Sequence, residues 1–202
     1  MALIQKDFAK NNSLSGIWEI SESEVELKQA CDLTEYDKNL LLETGSEHRR
    51  IELLAVRALL KTLNPEIEIT YDNRKPICNK GFISISHSDS FAAVIWHPTK
   101  RSTVDIERIN ERIHRIAKRA LNEPELRYAK NNTETLTTIW SAKECIYKIA
   151  NEPGIEFKSQ IEVAESTSND FISCNLILTD ISINYKLIKT ILRDHVLVWG
   201  VF

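Results

Sequence analysis

The chain lacks the features that mark secreted, membrane-spanning and general nucleic-acid-binding proteins. Its four cysteines are far apart and form no Cys-x-x-Cys pair, which argues against a zinc site and a disulfide framework. It contains no run of about 18 apolar residues, and its first residues do not read as a targeting segment. A net charge of −3 and a pI near 6.0 argue against general nucleic-acid binding. We therefore expect a soluble cytoplasmic protein that binds neither membranes nor nucleic acid.

The sequence pattern predicts an α+β fold within a length that allows one good-sized domain or two small ones. Helices are predicted over residues 33–42 and 47–63, and in stretches near 110–130 and 134–151. Strands are predicted over 16–20, 66–71, 102–107, 155–163, 171–178, 183–191 and 195–202, with a hairpin formed by 81–86 and 91–96.

An internal comparison predicts two similar halves. A shift of 88 positions, which carries residue 63 onto residue 151, places Leu63-Asn-Pro-Glu-Ile-Glu68 over Asn151-Glu-Pro-Gly-Ile-Glu156. Few residues are identical, so a chance match is the alternative. We interpret the shift as a diverged duplication, with an N-terminal half over 1–100 and a C-terminal half over 101–202.

Acidic residues and one lysine recur in the C-terminal half at spacings that bring side chains together. Asp105 and Glu107 lie two apart in a predicted strand, so they share a face. Glu144 and Lys148 lie four apart in a predicted helix, so they also share a face. Three carboxylates beside one ammonium suit a magnesium-bound phosphate ester. The alternatives are a solvated strand face and an ordinary surface ion pair.

The shift aligns the charged residues of the C-terminal half with apolar residues of the N-terminal half. Val56 and Leu60 of the first half correspond to Glu144 and Lys148 of the second. Since neither apolar side chain can hold a cation or a phosphate, only the C-terminal half could be catalytic.

Several separate motifs, in this order and spacing, resemble the 4′-phosphopantetheinyl transferases of the surfactin (Sfp) type. The segments are Ile83-Ser-Ile-Ser-His87, Val104-Asp-Ile-Glu107 and Trp140-Ser-Ala-Lys-Glu-Cys-Ile-Tyr-Lys148, together with Arg49-Arg50 and Arg74-Lys75-Pro76. The resemblance covers roughly residues 45–160. It implies a monomer of two similar halves, each a small antiparallel sheet packed with helices, with the active site at their junction.

The activity implied by this resemblance is Mg²⁺-dependent transfer of 4′-phosphopantetheine from coenzyme A to a serine of an apo acyl or peptidyl carrier protein. The other product would be adenosine 3′,5′-bisphosphate. Asp105, Glu107 and Glu144 would hold Mg²⁺, which Mn²⁺ could replace. Glu144 would also accept the serine proton, directly or through water, and Lys148 would stabilise the developing charge.

The N-terminal half would contribute to binding of coenzyme A. By the resemblance, Arg49 or Arg50, with Lys75, would meet the 3′-phosphate and neighbouring phosphates, while Ser86 and His87 would contact the nucleotide or pyrophosphate. Spacing alone leaves open which arginine does so. The alternatives are a solvated helix start for the two arginines and local turn hydrogen bonds for Ser86 and His87.

One position departs from the family pattern. The family usually has Gly before the strand's Val-Asp pair, where this chain has Thr103. A side chain there could narrow the space for coenzyme A, which motivates a second hypothesis of a binding module that has lost catalysis. A different metal-dependent phosphoesterase is a third hypothesis, since paired carboxylates also suit hydrolysis.

A basic stripe follows the acidic strand. Arginines recur at helical spacing after Glu107, and we hypothesise that they dock the acidic surface of a carrier protein. A solvated helix face is the alternative. The stripe consists of Arg108, Arg112, Arg115, Lys118 and Arg119.

Overall fold

A computed structural model describes residues 3–9, 12–150, 152, 154–165, 170–179 and 181–202. It divides the chain into two compact units, Met1–Ser102 with Phe202, and Thr103–Val201. Within the described residues, no helix combines the length and apolar character needed to cross a membrane.

The first unit contains a four-stranded antiparallel sheet with the strand order β1-β2-β6-β5. A separate two-stranded ribbon pairs β3 with β4. The elements are β1 Leu3–Lys6, β2 Leu14–Glu19, α1 Glu24–Ala30, α2 Glu35–Glu43, α3 Glu47–Leu63, β3 Ile69–Asp72, β4 Lys75–Cys78, β5 Phe82–His87 and β6 Phe91–His97.

Helix α3 packs on β2 and β6 of this sheet and supplies much of the first unit's core. Leu54 and Leu59 of α3 are fully buried. Gly16 of β2 permits the close approach, because a Cβ atom there would lie 2.8 Å from Cδ1 of Leu59. This packing fixes the first turn of α3, which carries Arg49, beside the end of β5.

The second unit is built on a five-stranded sheet with the strand order β7-β11-β10-β9-β8. Helix α6 packs on β11 and buries Ile139, Ala142, Ile146 and Ile149. The elements are β7 Ser102–Arg108, α4 Ile113–Ala120, α5 Glu123–Ala129, α6 Thr133–Ala150, α7 Phe157–Gln160, β8 Ile161–Val163, β9 Phe171–Ile177, β10 Ser182–Leu192 and β11 His195–Val201.

The short helices α2 and α5 each begin with a capping box whose carboxylate is buried. Thr34 and Asp37 form the box of α2, and Asn122 and Glu125 form that of α5. In the first unit, Asp37 also accepts from Arg57 of α3 at 2.6 Å. In the second unit, Glu125 likewise forms an ion pair with Lys143 of α6. Each unit thus ties a short helix to its long helix by a buried ion pair.

The structure confirms the α+β prediction and most of the individual elements. Helix α3 spans 47–63 as predicted, and β5 and β6 form the predicted hairpin. The elements β1, α1 and β4 were not predicted. Asn151 and Pro153, part of the predicted helix end in the second half, lie outside the described residues.

The prediction of a strand over 155–163 is wrong for its central part. Residues 157–160 form the single helical turn of α7, and only 161–163 are a strand. The backbone N–H of Gln160 donates to the carbonyl of Glu156 at 2.9 Å, which closes this turn. Local hydrogen bonds of polar side chains, including that from Ser159 to Glu156, therefore override the apolar alternation.

Candidate active site

Strand β7 is anchored on α6 beside the first predicted carboxylate. Val104 and Ile106 are buried in the core on one face of the strand, and Asp105 on the other face is also buried and only 3% exposed. The hydroxyl of Thr103, which is fully buried, donates to the carbonyl of Cys145 at 3.0 Å. The alternative of a solvated strand face is therefore wrong for Asp105.

Lys148 joins α6 to β7 at this carboxylate. Its Nζ donates to Oδ1 of Asp105 at 2.8 Å and to the carbonyl of Val104 at 2.9 Å. Burial opposes the charged ammonium, but the nearby Asp105 carboxylate raises the pKa of Lys148 above its ordinary value. The side chain stays 27% exposed, so a positive charge is held at an accessible edge of the site.

Glu107 is held by an aromatic side chain of α6. The indole Nε1–H of Trp140 donates to Oε1 of Glu107 at 2.9 Å. Burial, followed by the neighbouring charges of Asp105 and Glu144, raises the pKa of Glu107 to about 7, although the Trp140 hydrogen bond and Lys148 oppose the shift. Trp140 thus contributes a hydrogen bond to the acidic site.

Glu144 also has a strongly shifted pKa. Burial and then repulsion by Asp105 raise it to about 7, with Lys148 opposing. A carboxyl that is partly ionised near neutral pH can accept or release a proton during a reaction, which is a property of catalytic acids and bases. Asp105 raises the pKa of both Glu107 and Glu144, so the three predicted carboxylates lie close enough to affect one another.

The described residues include no group of three or more His, Cys, Asp or Glu side chains arranged to hold a metal ion. Asp105 instead binds Lys148, and Glu107 binds Trp140. The donors nevertheless fit Mg²⁺ chemically, because carboxylate oxygens are its preferred ligands and a cation would relieve their mutual repulsion. The assignment of Asp105, Glu107 and Glu144 as metal ligands stays a prediction.

In the first unit, Arg49 and His87 meet at a buried carboxylate that the sequence did not point to. Arg49 donates to Oε2 of Glu52 at 2.8 Å and also contacts His87. Nδ1 of His87 and Nε2 of His48 lie 3.0 Å and 3.2 Å from Oε1 of Glu52. Although burial opposes the shift, hydrogen bonds from His87 and Arg49 lower the pKa of Glu52 to about 2. The cluster therefore contains an ionised carboxylate beneath the accessible guanidinium of Arg49.

Arg50 has a different environment from Arg49. Its guanidinium donates to Glu24 of α1 at 2.9 Å and 3.0 Å, and to the carbonyls of Thr44 and Gly45. These contacts hold the loop before α3 in place. The Arg49 side chain is 45% exposed, whereas that of Arg50 is 23% exposed.

The remaining predicted contacts to coenzyme A lie on two strands of the first unit. Lys75 is exposed at the start of β4. Ser86 is buried in β5 opposite Ala93 of β6, one residue before His87. Their roles stay predictions.

A comparison with known protein families bears on the second unit. Residues 103–198 match the model of the 4′-phosphopantetheinyl transferase superfamily. The matched stretch contains Asp105, Glu107, Glu144 and Lys148, and the match supports a transferase of that superfamily. No curated protein matches the chain.

The pKa of Glu144 predicts a pH-dependent loss of stability. A pKa of about 7 in the folded state exceeds the ordinary 4.5, so the folded state binds more protons between these values. The free energy of unfolding should therefore fall as pH rises from about 4.5 to about 7. Glu144→Gln removes this ionisation and should be more stable than the wild type by about 1–3 kcal/mol near pH 8, but not near pH 4.

Urea unfolding followed by circular dichroism measures this difference. Glu162→Gln, an exposed change in β8, is the control and should show no such pH-dependent gain. A Glu144→Gln effect of equal size at both pH values would contradict the assigned environment.

Proposed function

We propose that the protein transfers 4′-phosphopantetheine from coenzyme A to a serine hydroxyl of an apo acyl or peptidyl carrier protein, as surfactin-type transferases do. The observation that most supports this is the buried acidic site of the second unit. In this site Lys148 binds Asp105, and both Glu107 and Glu144 have pKa values near 7. This site lies within the stretch that matches the superfamily.

The residues of this site can meet each requirement of the reaction. The serine oxygen attacks the phosphorus attached to pantetheine, and the bond from that phosphorus to adenosine 3′,5′-bisphosphate breaks. Glu144 accepts the serine proton, directly or through water, because a pKa near 7 leaves part of it ionised at neutral pH. The ammonium of Lys148 stabilises negative charge on the transferred group.

Asp105, Glu107 and Glu144 are the residues proposed to hold Mg²⁺, or Mn²⁺ in its place. When bound, the ion would neutralise charge on the pyrophosphate of coenzyme A. The ammonium of Lys148 donates to Oδ1 of Asp105, beside the position proposed for the cation.

We assign Arg49, rather than Arg50, to the 3′-phosphate of coenzyme A. Arg50 is already engaged by Glu24 and two backbone carbonyls. Arg49 is more exposed and adjoins His87, so the two could share one anionic group. Glu52 holds both side chains in place from beneath.

We also propose that the two units descend from one duplicated unit, of which one copy retains chemistry. The strand order β2-β6-β5 of the first unit matches β7-β11-β10 of the second, but the shift of 88 carries β6 onto β10, so the shift describes only the elements before β5. The shift of 88 carries the capping box Thr34/Asp37 onto Asn122/Glu125. It also carries α3 onto residues 135–151, close to α6.

The transfer itself is tested with apo carrier proteins of fatty-acid, polyketide and peptide type, incubated with coenzyme A and Mg²⁺. Intact-mass spectrometry should show addition of the phosphopantetheine group to at least one carrier. Chelation of the metal should abolish the addition. Glu144→Gln should lower kcat by roughly 100-fold or more, while the variant stays folded.

The outcomes separate the competing functions. Binding of coenzyme A without modification of any carrier would favour the catalytically impaired module motivated by Thr103. Release of product from coenzyme A without a carrier would favour a phosphoesterase.

In the same assay, Arg49→Ala should raise the KM for coenzyme A but not for 3′-dephospho-coenzyme A. An equal rise for both would contradict the assigned contact.

The basic stripe provides a docking surface for the carrier. Arg112, Arg115, Lys118 and Arg119 are exposed on and just before α4, and Arg108 is exposed in an ion pair with Asp194. Reversing charge with Arg112→Glu and Arg115→Glu should raise the carrier KM by roughly tenfold and leave the KM for coenzyme A unchanged. The matched control, Lys38→Glu with Lys100→Glu, reverses two exposed charges of the first unit. An unchanged carrier KM in the stripe variant would refute this docking surface.

A further inference from the structure

Lys143, the residue before Glu144, is a fully buried lysine whose ammonium is completely engaged. Its Nζ lies 2.9 Å from Oε2 of Glu125 and donates to the carbonyls of Phe157 at 2.7 Å and Ile161 at 2.5 Å. The side chain is 0% exposed. Three acceptors match the three N–H groups of an ammonium. Lys143 therefore cannot contact a substrate, and its role must be exerted through its neighbours.

The carboxylate that pairs with Lys143 is itself rigidly held. Glu125 is 2% exposed and closes the capping box of α5 with Asn122. Its Oε1 also accepts from the backbone N–H of Val163 at 2.8 Å. The ion pair thus joins α5, α6 and the segment that contains α7 and β8.

This segment carries an aromatic ring into contact with the candidate active site. The ring of Phe157 stacks on Trp140 with 5.2 Å between ring centroids, and on Tyr147 with 5.0 Å. The indole of Trp140 in turn donates to Glu107. A continuous set of contacts therefore runs from Lys143, through the backbone and ring of Phe157, to the carboxylate of Glu107.

We propose that Lys143 is a positioning residue that clamps α7 onto α6, so that Phe157 fixes Trp140 and, through it, the carboxylate of Glu107. The catalytic consequence of this clamp rests on the proposed transferase function, but the clamp itself does not. A buried ion pair is often no more stabilising than apolar residues of the same size, so stability alone does not account for it. Its directional bonds to two carbonyls set the position of α7, which apolar side chains could not do.

The first unit supplies a matched control. Asp37 and Arg57 form an equivalent buried ion pair between a capping box and a long helix, but in the unit that lacks the acidic site. Removing both charges there perturbs a similar interaction without touching α7 or Trp140.

The experiment compares two double variants of the full chain. Lys143→Met with Glu125→Gln removes the clamp without leaving an isolated charge, and glutamine keeps the capping box. Arg57→Met with Asp37→Asn is the control. The readout is the solvent-exchange rate of the Trp140 indole N–H, followed by ¹H–¹⁵N NMR and assigned by its loss in Trp140→Phe. The clamp variant should exchange roughly three- to tenfold faster, and the control should match the wild type.

Kinetics provide a second readout that depends on the transferase activity. The clamp variant should lower kcat by roughly ten- to 100-fold, with little change in the KM for coenzyme A. If the clamp variant does not fold, Phe157→Leu decides, because it keeps the ion pair and removes the ring stacked on Trp140.

Each outcome bears on a separate claim. An unchanged indole exchange rate in the folded clamp variant, or in Phe157→Leu, would overturn the proposal. Faster exchange in the control double variant as well would also overturn it, since the effect would then be general loosening. If the wild type shows no transfer, the proposed function fails, while the indole exchange still decides whether the clamp exists.

Discussion

The burial of acidic side chains between β7 and α6 is the constraint on which the second unit depends. Carboxylates removed from water are disfavoured unless they are paired or protonated. The structure pairs Asp105 with Lys148, donates an indole N–H to Glu107 and leaves Glu107 and Glu144 with pKa values near 7. The site thus keeps negative charge that its own cation does not fully neutralise, and such a site is suited to bind a further cation.

The first unit also buries an acidic side chain, but there the pKa is lowered rather than raised. Glu52 is buried there as well, but Arg49 and His87 lower its pKa to about 2. The ionised carboxylate holds the guanidinium of Arg49, which stays 45% exposed. Under the proposed function, the acidic site of the second unit would carry the transfer and Arg49 of the first unit would bind the 3′-phosphate of coenzyme A. The location of the active site at the junction of the halves stays a prediction.

Residue spacing was enough to predict most of the elements and the shared faces of the acidic residues. It did not identify the partner of Lys148, which is Asp105, 43 positions away, rather than the helical neighbour Glu144. The same limit applies to Lys143 with Glu125, and to His87 with Glu52. Contacts between distant segments produce no repeating pattern in the nearby sequence from which they could be predicted. Glu52 could have been found, since it lies three residues after Arg49 on one helix face. Helix α7 was missed because a single polar turn interrupts an apolar alternation.

The account depends on the acidic site being able to exchange protons for a cation. Calorimetric titration of Mg²⁺ at about pH 7, in two buffers with different ionisation enthalpies, measures the protons released on binding. With two carboxyls of pKa about 7, binding should release roughly one proton, and Glu144→Gln should release fewer. Absence of Mg²⁺ binding, or binding without proton release, would contradict the account.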